Sequence, residues 1–234
     1  MKPMPEDWDS AVAVVAHPDD LEYGAAAAVA RWTNQGKHVS YVMVSSGEAG
    51  IAGQDPAVVG PLREEEERNS AAIVGVSEVL FLGHPDGLIE YGVPLRRDLA
   101  RALRQTQPDV VITMTFDLTW SEDGPINHAD HRAVGLAVLD ACRDAANEWV
   151  FRELALPPAR IKDAYVVTSG NPSHFVDVTG TIDAGVASLR EHRAYLAGLG
   201  RDFDPDEFLR NVAGYVGMAA GCEYAVGLRR YPMG

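Results

Sequence analysis

The chain has 234 residues, of which 47% are hydrophobic and 23% charged, and its formal net charge is −14. These values are typical of a soluble globular protein. The acidic balance argues against an extended nucleic-acid surface or an anionic membrane as partner, because both attract clustered Lys and Arg, so a small molecule is the expected ligand.

The length favours one domain over residues 1–234, and we find no linker that would separate a second. The 2 cysteines, Cys142 and Cys222, form no CxxC pair, so neither a disulfide framework nor a thiolate zinc site is indicated. The N-terminal residues have no apolar signal core, and no window approaches the roughly 20 apolar residues of a membrane span. We therefore expect a cytoplasmic protein without stable membrane insertion.

Strands and helices alternate in the predicted core, residues 11–146. The hydrophobic pattern predicts strands at 11–16, 38–45, 79–82 and 109–113, and helices at 22–34, 62–74, 95–105 and 130–146. Such alternation predicts an α/β fold with a Rossmann-like, mostly parallel sheet and helices on both faces. In residues 147–234 the pattern weakens. DAYVVTS and HFVDV indicate strands and TIDAGVASLREHRAYLAGL one amphipathic helix, which we expect to complete the sheet and the substrate rim.

A polar segment follows each of the four core strands. Ligands of open parallel sheets bind outside the carboxyl ends of the strands, near the point where strand order reverses. We therefore expect one shared rim, formed by residues 17–20 (HPDD), 45–50 (SSGEAG), 83–87 (GHPDG) and the loop that begins MTFDLTW.

Two dense polar motifs on this rim predict a metal site. In HPDD, His17 and Asp20 stand three residues apart around a tight turn, so both side chains can converge on one point. INHADHRAVG, after the fourth strand, supplies His131 as a third ligand. Two imidazoles, one carboxylate and an open position form the ligand set of a catalytic Zn²⁺.

The remaining side chains of the two motifs predict hydrolysis of an amide. Asp19 points away from Asp20, so it is free to accept a proton from metal-bound water, whose pKa zinc lowers to about 7. His128, in its protonated form, is expected to stabilise a tetrahedral oxyanion and to protonate the leaving amine. The spacing of Asp130 permits it to hold the ring of His128 or of His131.

Other histidines differ in their context. GHPDG repeats His-Pro-Asp, but Gly87 replaces the second carboxylate, so His84 and Asp86 are expected to be rim residues that contact substrate. His174, before FVDV, is a further candidate for substrate binding. His38 starts a strand and His192 lies in a helix, and we expect structural roles for both.

The motif AHPDDLE, followed far downstream by HADH, resembles the PIG-L/LmbE superfamily of zinc-dependent N-deacetylases. The GEAG loop, an Arg-x-x-Glu from Arg63 to Glu66, FLGHPDG and HADHRAVG follow in the family's order, over residues 11 to 140. The resemblance implies removal of an acyl group, most simply acetyl, from the nitrogen of an amino sugar or related conjugate.

By this likeness the zinc ligands are His17, Asp20 and His131, the base is Asp19, and His128 stabilises the intermediate with Asp130 as its partner. Glu48 and Arg63 fall where family members have site-lining groups. Two positions depart from the pattern: Ala129 stands where Pro is frequent, and Ile126 where some members carry a Tyr. These departures concern the choice of substrate, which the rim loops determine.

Two other functions remain open from the sequence. Two His and one carboxylate also form the facial triad of Fe(II) oxygenases, and His128-Ala129-Asp130 matches their His-x-Asp, although that chemistry usually sits on an all-β barrel. Alternatively, the chain is a non-catalytic sugar-binding module whose acidic cluster caps a helix. The expected partner is a small N-acyl sugar or conjugate, and a homo-oligomer is possible.

Overall fold

The computed structural model describes residues 1–120, 123–168, 170–200 and 202–234. Its strands are β1 Lys2–Pro3, β2 Ser10–Val15, β3 His38–Met43, β4 Val79–Phe81, β5 Val110–Met114, β6 Asp163–Val167, β7 His174–Asp177 and β8 Ala225–Pro232. Its α-helices are α1 Ala26–Asn34, α2 Pro56–Ile73, α3 Val93–Thr106, α4 Ala129–Ala146, α5 Ile182–Arg190, α6 Arg193–Gly198 and α7 Pro205–Ala220. Within the described ranges, each helix is too short or too polar to cross a bilayer.

The strands form one 8-stranded sheet in the order β1-β7-β8-β6-β5-β2-β3-β4. All neighbours pair in parallel except β8, which runs antiparallel to both β6 and β7. The expected Rossmann-like, mostly parallel sheet with helices on both faces is therefore confirmed.

The sheet separates two apolar cores because successive side chains of a strand point to opposite faces. On β2, Ala11, Ala13 and Val15 pack against the helices α1, α5 and α7, while Val12 and Val14 pack against α3 and α4. Both faces of β2 are fully buried. This explains why its sequence is a continuous apolar run and not an alternating one.

Strand order reverses between β2 and β5. From β2 the chain moves outward through β3 to β4, and β5 then returns to the other side of β2, followed by β6. Such a reversal opens a crevice at the carboxyl ends of the two central strands. The loops after β2 and β5, which carry the HPDD and HADH motifs, meet in this crevice.

The helices differ from their predicted bounds at three main places. Helix α1 begins at Ala26 instead of residue 22. Helix α2 begins at Pro56 instead of residue 62, because the Asp55 side chain accepts the Ala57 N–H at 3.0 Å and Pro56 suits the first turn. The single helix expected near residues 180–199 is two helices, α5 and α6, with His192 at the break. Helix α7 and the antiparallel β8 were not predicted.

Candidate active site

Three predicted ligand atoms converge in the crevice between β2 and β5. His131 Nε2 lies 3.1 Å from Asp20 Oδ1 and 3.2 Å from His17 Nδ1. His17 Nδ1 lies 3.6 Å from Asp20 Oδ2. The structure thus brings together side chains that are more than one hundred residues apart in sequence.

These separations fit a tetrahedral metal ion. Metal–ligand bonds of 2.0–2.1 Å at tetrahedral angles place neighbouring ligand atoms about 3.3 Å apart. The Asp20 Oδ2 atom accepts the His17 backbone N–H at 2.8 Å, and Oδ1 faces His131 Nε2. His17 and His131 are each 8% exposed, so the facing nitrogens meet where little water can separate them. The residues present therefore fit a divalent cation held by His17, Asp20 and His131.

Further side chains orient both imidazoles. The His17 Nε2 atom, on the far side of the ring from Asp20, lies 3.0 Å from Asp86 Oδ1 and 3.2 Å from Asp130 Oδ2. His131 Nδ1 lies 3.0 Å from Asn127 Oδ1. A carboxylate or amide oxygen on the outer ring nitrogen places the N–H there and leaves the inner nitrogen as an electron-pair donor.

Asp130 therefore occupies a different position from the one expected. Its carboxylate faces His17 and accepts the backbone N–H groups of Gly87 at 2.7 Å and of Ile89 at 3.2 Å. Its contact with His128 runs through the Asp130 backbone N–H. The loop after β4, which supplies those two N–H groups, directs the carboxylate toward His17 and away from the rings of His128 and His131.

The charge balance at His17 favours a bound cation. Burial alone lowers the pKa of this imidazole, but hydrogen bonds that its ring donates to the carboxylates of Asp130, Asp20 and Asp86 outweigh burial and raise the pKa to about 12. The pKa of Asp20 is held well below its usual range, because the His131 and His17 charges outweigh burial. Both shifts indicate surroundings that stabilise positive charge between the ligand atoms.

Asp19 is buried beside the ligand atoms in an unusual backbone conformation. Its φ angle is +91°, a region that residues other than Gly rarely adopt. Its backbone N–H donates to Glu67 Oε2 at 3.2 Å, and its Oδ2 lies 3.1 Å from Arg63 Nη2. Burial raises the pKa of Asp19 to about 6, while Arg63 acts in the opposite direction and Asp20 adds to the rise. A carboxylate with this pKa is suited to proton transfer near neutral pH.

Arg63 holds this region together from within the protein. It is 2% exposed, and it donates to the Gly47 carbonyl at 2.9 Å and to the Pro18 carbonyl. The Tyr195 ring lies against the guanidinium, with 4.3 Å between Arg63 Cζ and the ring centroid. All these contacts are internal, so Arg63 lines the site chiefly by supporting Asp19 and two loops.

His128 caps helix α4 and lines the opening of the site. Its Nδ1 accepts the Asp130 backbone N–H at 3.3 Å, which leaves the proton of a neutral ring on Nε2. Burial and the charges of His17 and His131 lower the pKa of His128. A neutral His128 ring would therefore present its Nε2–H as a hydrogen-bond donor, and the protonated form expected from the sequence stays a prediction.

The remaining predicted residues are placed as follows. Glu48 and Asp86 tie two rim loops together: Glu48 Oε1 accepts the Asp86 N–H at 2.9 Å, and Asp86 Oδ2 accepts the Ala49 N–H at 2.8 Å. His84 Nε2 lies 3.3 Å from Asp98 Oδ2. The His174 ring packs beside the Tyr165 ring, with centroids 6.2 Å apart. Neither His84 nor His174 lines the cavity described below.

A second polar cluster, which sequence reasoning missed, lies behind Asp19. It consists of Glu22, Glu67 and His192, which are at most 1% exposed. His192 Nε2 lies 3.6 Å from a carboxylate oxygen of each Glu. Burial lowers the pKa of His192, but contact with Glu22 raises it overall, whereas burial and the Glu22 charge raise the pKa of Glu67 well above its usual value.

Asn127 and Tyr195 were also missed. Asn127 stands four residues before His131, a spacing that places both side chains on one side of a helix start, and this signal was visible in INHADH. Tyr195 carried no comparable signal, because it reaches Arg63 from α6 across the fold.

The site opens into a cavity of about 830 Å³. His17, Asp19, Asp20, His128 and His131 line one end, with Arg63, Asp86, Thr115 and Trp120 around them. The Trp120 ring packs on His131, with centroids 5.3 Å apart. Small-molecule sites commonly have volumes of about 300–1,000 Å³, so the cavity has room for an organic ligand beside the ligand atoms.

A family model described as PIG-L, GlcNAc-PI de-N-acetylase, matches residues 12–142, a span that contains both polar motifs. The chain belongs to the PIG-L family. The resemblance inferred from the motifs is thereby confirmed, and the metal centre lies in the part of the chain that defines the family.

Members and neighbours of the PIG-L family resemble the chain along most of its length. It is 26% identical to the diacetylchitobiose deacetylase of Thermococcus kodakarensis over 97% of this chain and 84% of that protein. It is also 26% identical to the 1D-myo-inositol 2-acetamido-2-deoxy-alpha-D-glucopyranoside deacetylase of Kineococcus radiotolerans, over 76% of this chain and 66% of the relative.

Solved structures support the fold. The N,N'-diacetylchitobiose deacetylase of Pyrococcus horikoshii matches with a TM-score of 0.86 and 24% identity, over 97% of this chain and 85% of that one. GalB, a 4-carboxy-2-hydroxymuconate hydratase from Pseudomonas putida, matches with a TM-score of 0.77 and 23% identity, over 96% of this chain and 97% of the GalB chain. Since a hydratase shares the architecture, side chains and not the fold must decide the reaction.

Proposed function

We propose that this PIG-L protein is a zinc-dependent hydrolase that removes an acetyl group from the nitrogen of an amino sugar or related conjugate. The observation that carries the proposal is the position of His131 Nε2, 3.1 Å from Asp20 Oδ1 and 3.2 Å from His17 Nδ1, with Asp19 beside them. The named activities of the family relatives support the choice of an N-acetylated sugar.

His17, Asp20 and His131 are the proposed metal ligands, and zinc is the proposed metal because two nitrogens and one oxygen with an open position suit it. A bound zinc ion would supply Lewis acidity to the amide carbonyl and lower the pKa of a coordinated water. Asp86, Asp130 and Asn127 would keep the two imidazoles in the required tautomers. The chain's own side chains provide the remaining chemistry.

Asp19 is the proposed general base. Its carboxylate would take a proton from the attacking water and return it to the amine nitrogen as the C–N bond breaks. A pKa of about 6 allows both transfers near neutral pH. Arg63 holds the carboxylate in place through Nη2, 3.1 Å from Asp19 Oδ2, and is itself held by hydrogen bonds to the Gly47 and Pro18 carbonyls.

His128 is the proposed oxyanion donor. With Nδ1 occupied by the Asp130 N–H, the Nε2–H is free to donate to the oxygen that becomes negative when water adds to the carbonyl. A donor that is fixed before the reaction stabilises the tetrahedral state without reorganisation, and removal of one such donor commonly costs about 10²–10³ in kcat.

The two alternatives receive less support. An oxygenase triad that used His128 and Asp130 would need the Asp130 carboxylate at the metal, but that carboxylate lies on the outer nitrogen of His17. A sugar-binding module would not require a buried carboxylate with a pKa near neutrality beside the ligand atoms.

The test is release of free amine and acetate from N-acetylglucosamine and N,N'-diacetylchitobiose by zinc-loaded and chelator-treated protein. We expect cleavage only with metal, and we expect Asp19→Asn to retain zinc while kcat falls by about 10²–10⁴. Ser77→Ala, a change at an exposed residue before β4, is the control. Equal cleavage by chelated and loaded protein, or undiminished turnover by Asp19→Asn, would refute the mechanism.

A further inference from the structure

The cavity has a second end that the proposed reaction does not use. Six residues from helices α5 and α7 form this end, which we call the apolar lobe: Ile182, Phe208, Leu209, Val212, Ala213 and Val216. Leu209, Ala213 and Val216 turn inward and are 5–8% exposed, while Phe208 and Val212, at 36% and 37%, stand at the solvent side. The apolar lobe is therefore reachable from solvent and continuous with the metal end.

Charge is segregated between the two ends. Among the described lining residues, the ionisable acids, histidines and arginine belong to the loops after β2 and β4, to α2 and to the start of α4. The apolar lobe contributes carbon side chains. A sugar hydroxyl placed there would lose its hydrogen bonds to water without gaining protein partners, which is unfavourable for each buried group.

Aromatic rings border the passage between the ends. The centroids of Tyr23, Phe203 and Phe208 lie 5.4–5.7 Å from one another. Tyr23 follows the proposed ligand Asp20 by three residues, so this ring wall begins beside the reaction centre. An extended substituent attached to a molecule at the metal end would pass these rings.

We propose that the apolar lobe binds an aliphatic substituent of the substrate, so that the enzyme prefers amphiphilic amides to small polar N-acetyl sugars. This inference rests on the proposed function and narrows its substrate class. The substituent belongs either to the acyl group or to the aglycone of the sugar, and in both cases the chemistry that the lobe recognises is an alkyl chain.

Two substrate series test the proposal. One is glucosamine with N-acyl groups from acetyl to octanoyl, and the other is alkyl β-glycosides of N-acetylglucosamine from methyl to octyl. Burial of one methylene corresponds to roughly a fourfold gain in kcat/KM. We expect such a rise in at least one series, and the series that rises identifies the source of the chain. A flat or falling dependence in both overturns the proposal.

Substitutions in the apolar lobe test whether the preference for long alkyl chains arises there. Ala213→Phe would fill the lobe, and Val212→Asp would place a charge at its entrance. For each variant we compare kcat/KM of the longest-chain substrate of a series with kcat/KM of its shortest-chain substrate. Either substitution should bring this ratio close to one. This ratio is internal to each variant, so a general loss of folded enzyme does not alter it. Tyr215→Ser, on the exposed face of α7, is the matched control and should keep the wild-type ratio.

A binding measurement separates this inference from the proposed function. Calorimetry with metal-free protein should give tighter binding of N-octanoylglucosamine or octyl N-acetylglucosaminide than of N-acetylglucosamine, and Ala213→Phe should abolish the difference. Equal affinities would refute the apolar lobe even if acetyl groups are released. Tighter binding of an octyl compound without any amide cleavage would support the lobe and refute the hydrolase.

Discussion

The backbone N–H of Asp19 donates to the carboxylate of Glu67 at 3.2 Å, across 48 residues of sequence. Glu67 is fully buried, so this bond anchors the proposed base to the protein interior. It also holds the turn at a φ angle of +91° for Asp19, which a non-glycine residue adopts only when its surroundings enforce it.

Loss of this anchor should misplace the base. We expect Glu67→Leu to lower kcat by about 10–10² with little change in zinc content, since small displacements of a catalytic group have effects of that size. Glu67→Gln keeps an oxygen that can accept the Asp19 N–H and should retain most of the activity. Steady-state kinetics with metal analysis provides the measurement, and equal activities for the two variants would argue against an anchoring role.

The raised pKa of Glu67 has a consequence for stability against pH. A group whose pKa is higher in the folded than in the unfolded state keeps its proton on folding, so stability falls as pH rises from the unfolded pKa of about 4.3 toward the folded value. The slope for one such proton is at most about 1.4 kcal/mol per pH unit.

We therefore expect the free energy of unfolding of chelator-treated Glu67→Gln to fall less than that of wild type between pH 5 and 8. Urea denaturation at several pH values gives the comparison. Glu65→Gln, on the exposed side of the same helix, serves as control and should follow the wild-type curve. Parallel curves for wild type and Glu67→Gln would mean that Glu67 is ionised in the folded protein.

Metal affinity should separate ligands from the residues that orient them. Asp20→Ala removes a proposed ligand and should abolish stoichiometric zinc binding. Asn127→Ala leaves the three proposed ligands in place but removes the oxygen on the outer nitrogen of His131, together with the amide donors to the Thr115 and Asp117 carbonyls, and should weaken zinc binding by about 10–100-fold. Competition with a chromophoric chelator measures both. If Asn127→Ala bound zinc as tightly as wild type, the tautomer of His131 would have to be controlled by another group.

The GEAG loop should tolerate no side chain at its first glycine. Gly47 has a φ angle of +62°, and a Cβ atom there would overlap the Arg63 guanidinium, whereas Gly53 has φ +76° and a Cβ atom there would meet nothing within 4 Å. Both Ala variants incur the left-handed backbone cost of about 1–2 kcal/mol. We expect only Gly47→Ala also to displace Arg63 and to lower kcat/KM, about tenfold or more.

Thermal unfolding and kinetics of Gly47→Ala and Gly53→Ala should thus give similar losses of stability from backbone strain but different activities. An equal effect of both substitutions on kcat/KM would show that Arg63 accommodates the added methyl group.

The convergence of His17, Asp20 and His131 was predictable from the sequence because each part of the cluster is local. HPDD lies in one turn, HADH opens one helix, and the alternation of strands and helices places both at one rim. The orientation of Asp130 was not predictable, since it depends on backbone N–H groups of Gly87 and Ile89 in another loop.

The surroundings of His192 were not predictable for a related physical reason. The sequence placed it inside one helix, because the hydrophobic pattern continued across it. The helix instead breaks there, and the imidazole turns inward to two carboxylates from distant elements. The local hydrophobic pattern cannot reveal a buried contact of this kind, because the partners of His192 come from distant parts of the sequence.

The position of β8 constrains the order in which the sheet can form. This strand lies between β6 and β7, and β7 in turn is the partner of β1. During synthesis, the edge made by β7 and β1 cannot join the sheet until residues 225–232 have left the ribosome. Strand β1, which precedes the rest of the sheet in sequence, is consequently among the last strands to join it, and until then the nascent protein presents β6 as an open edge.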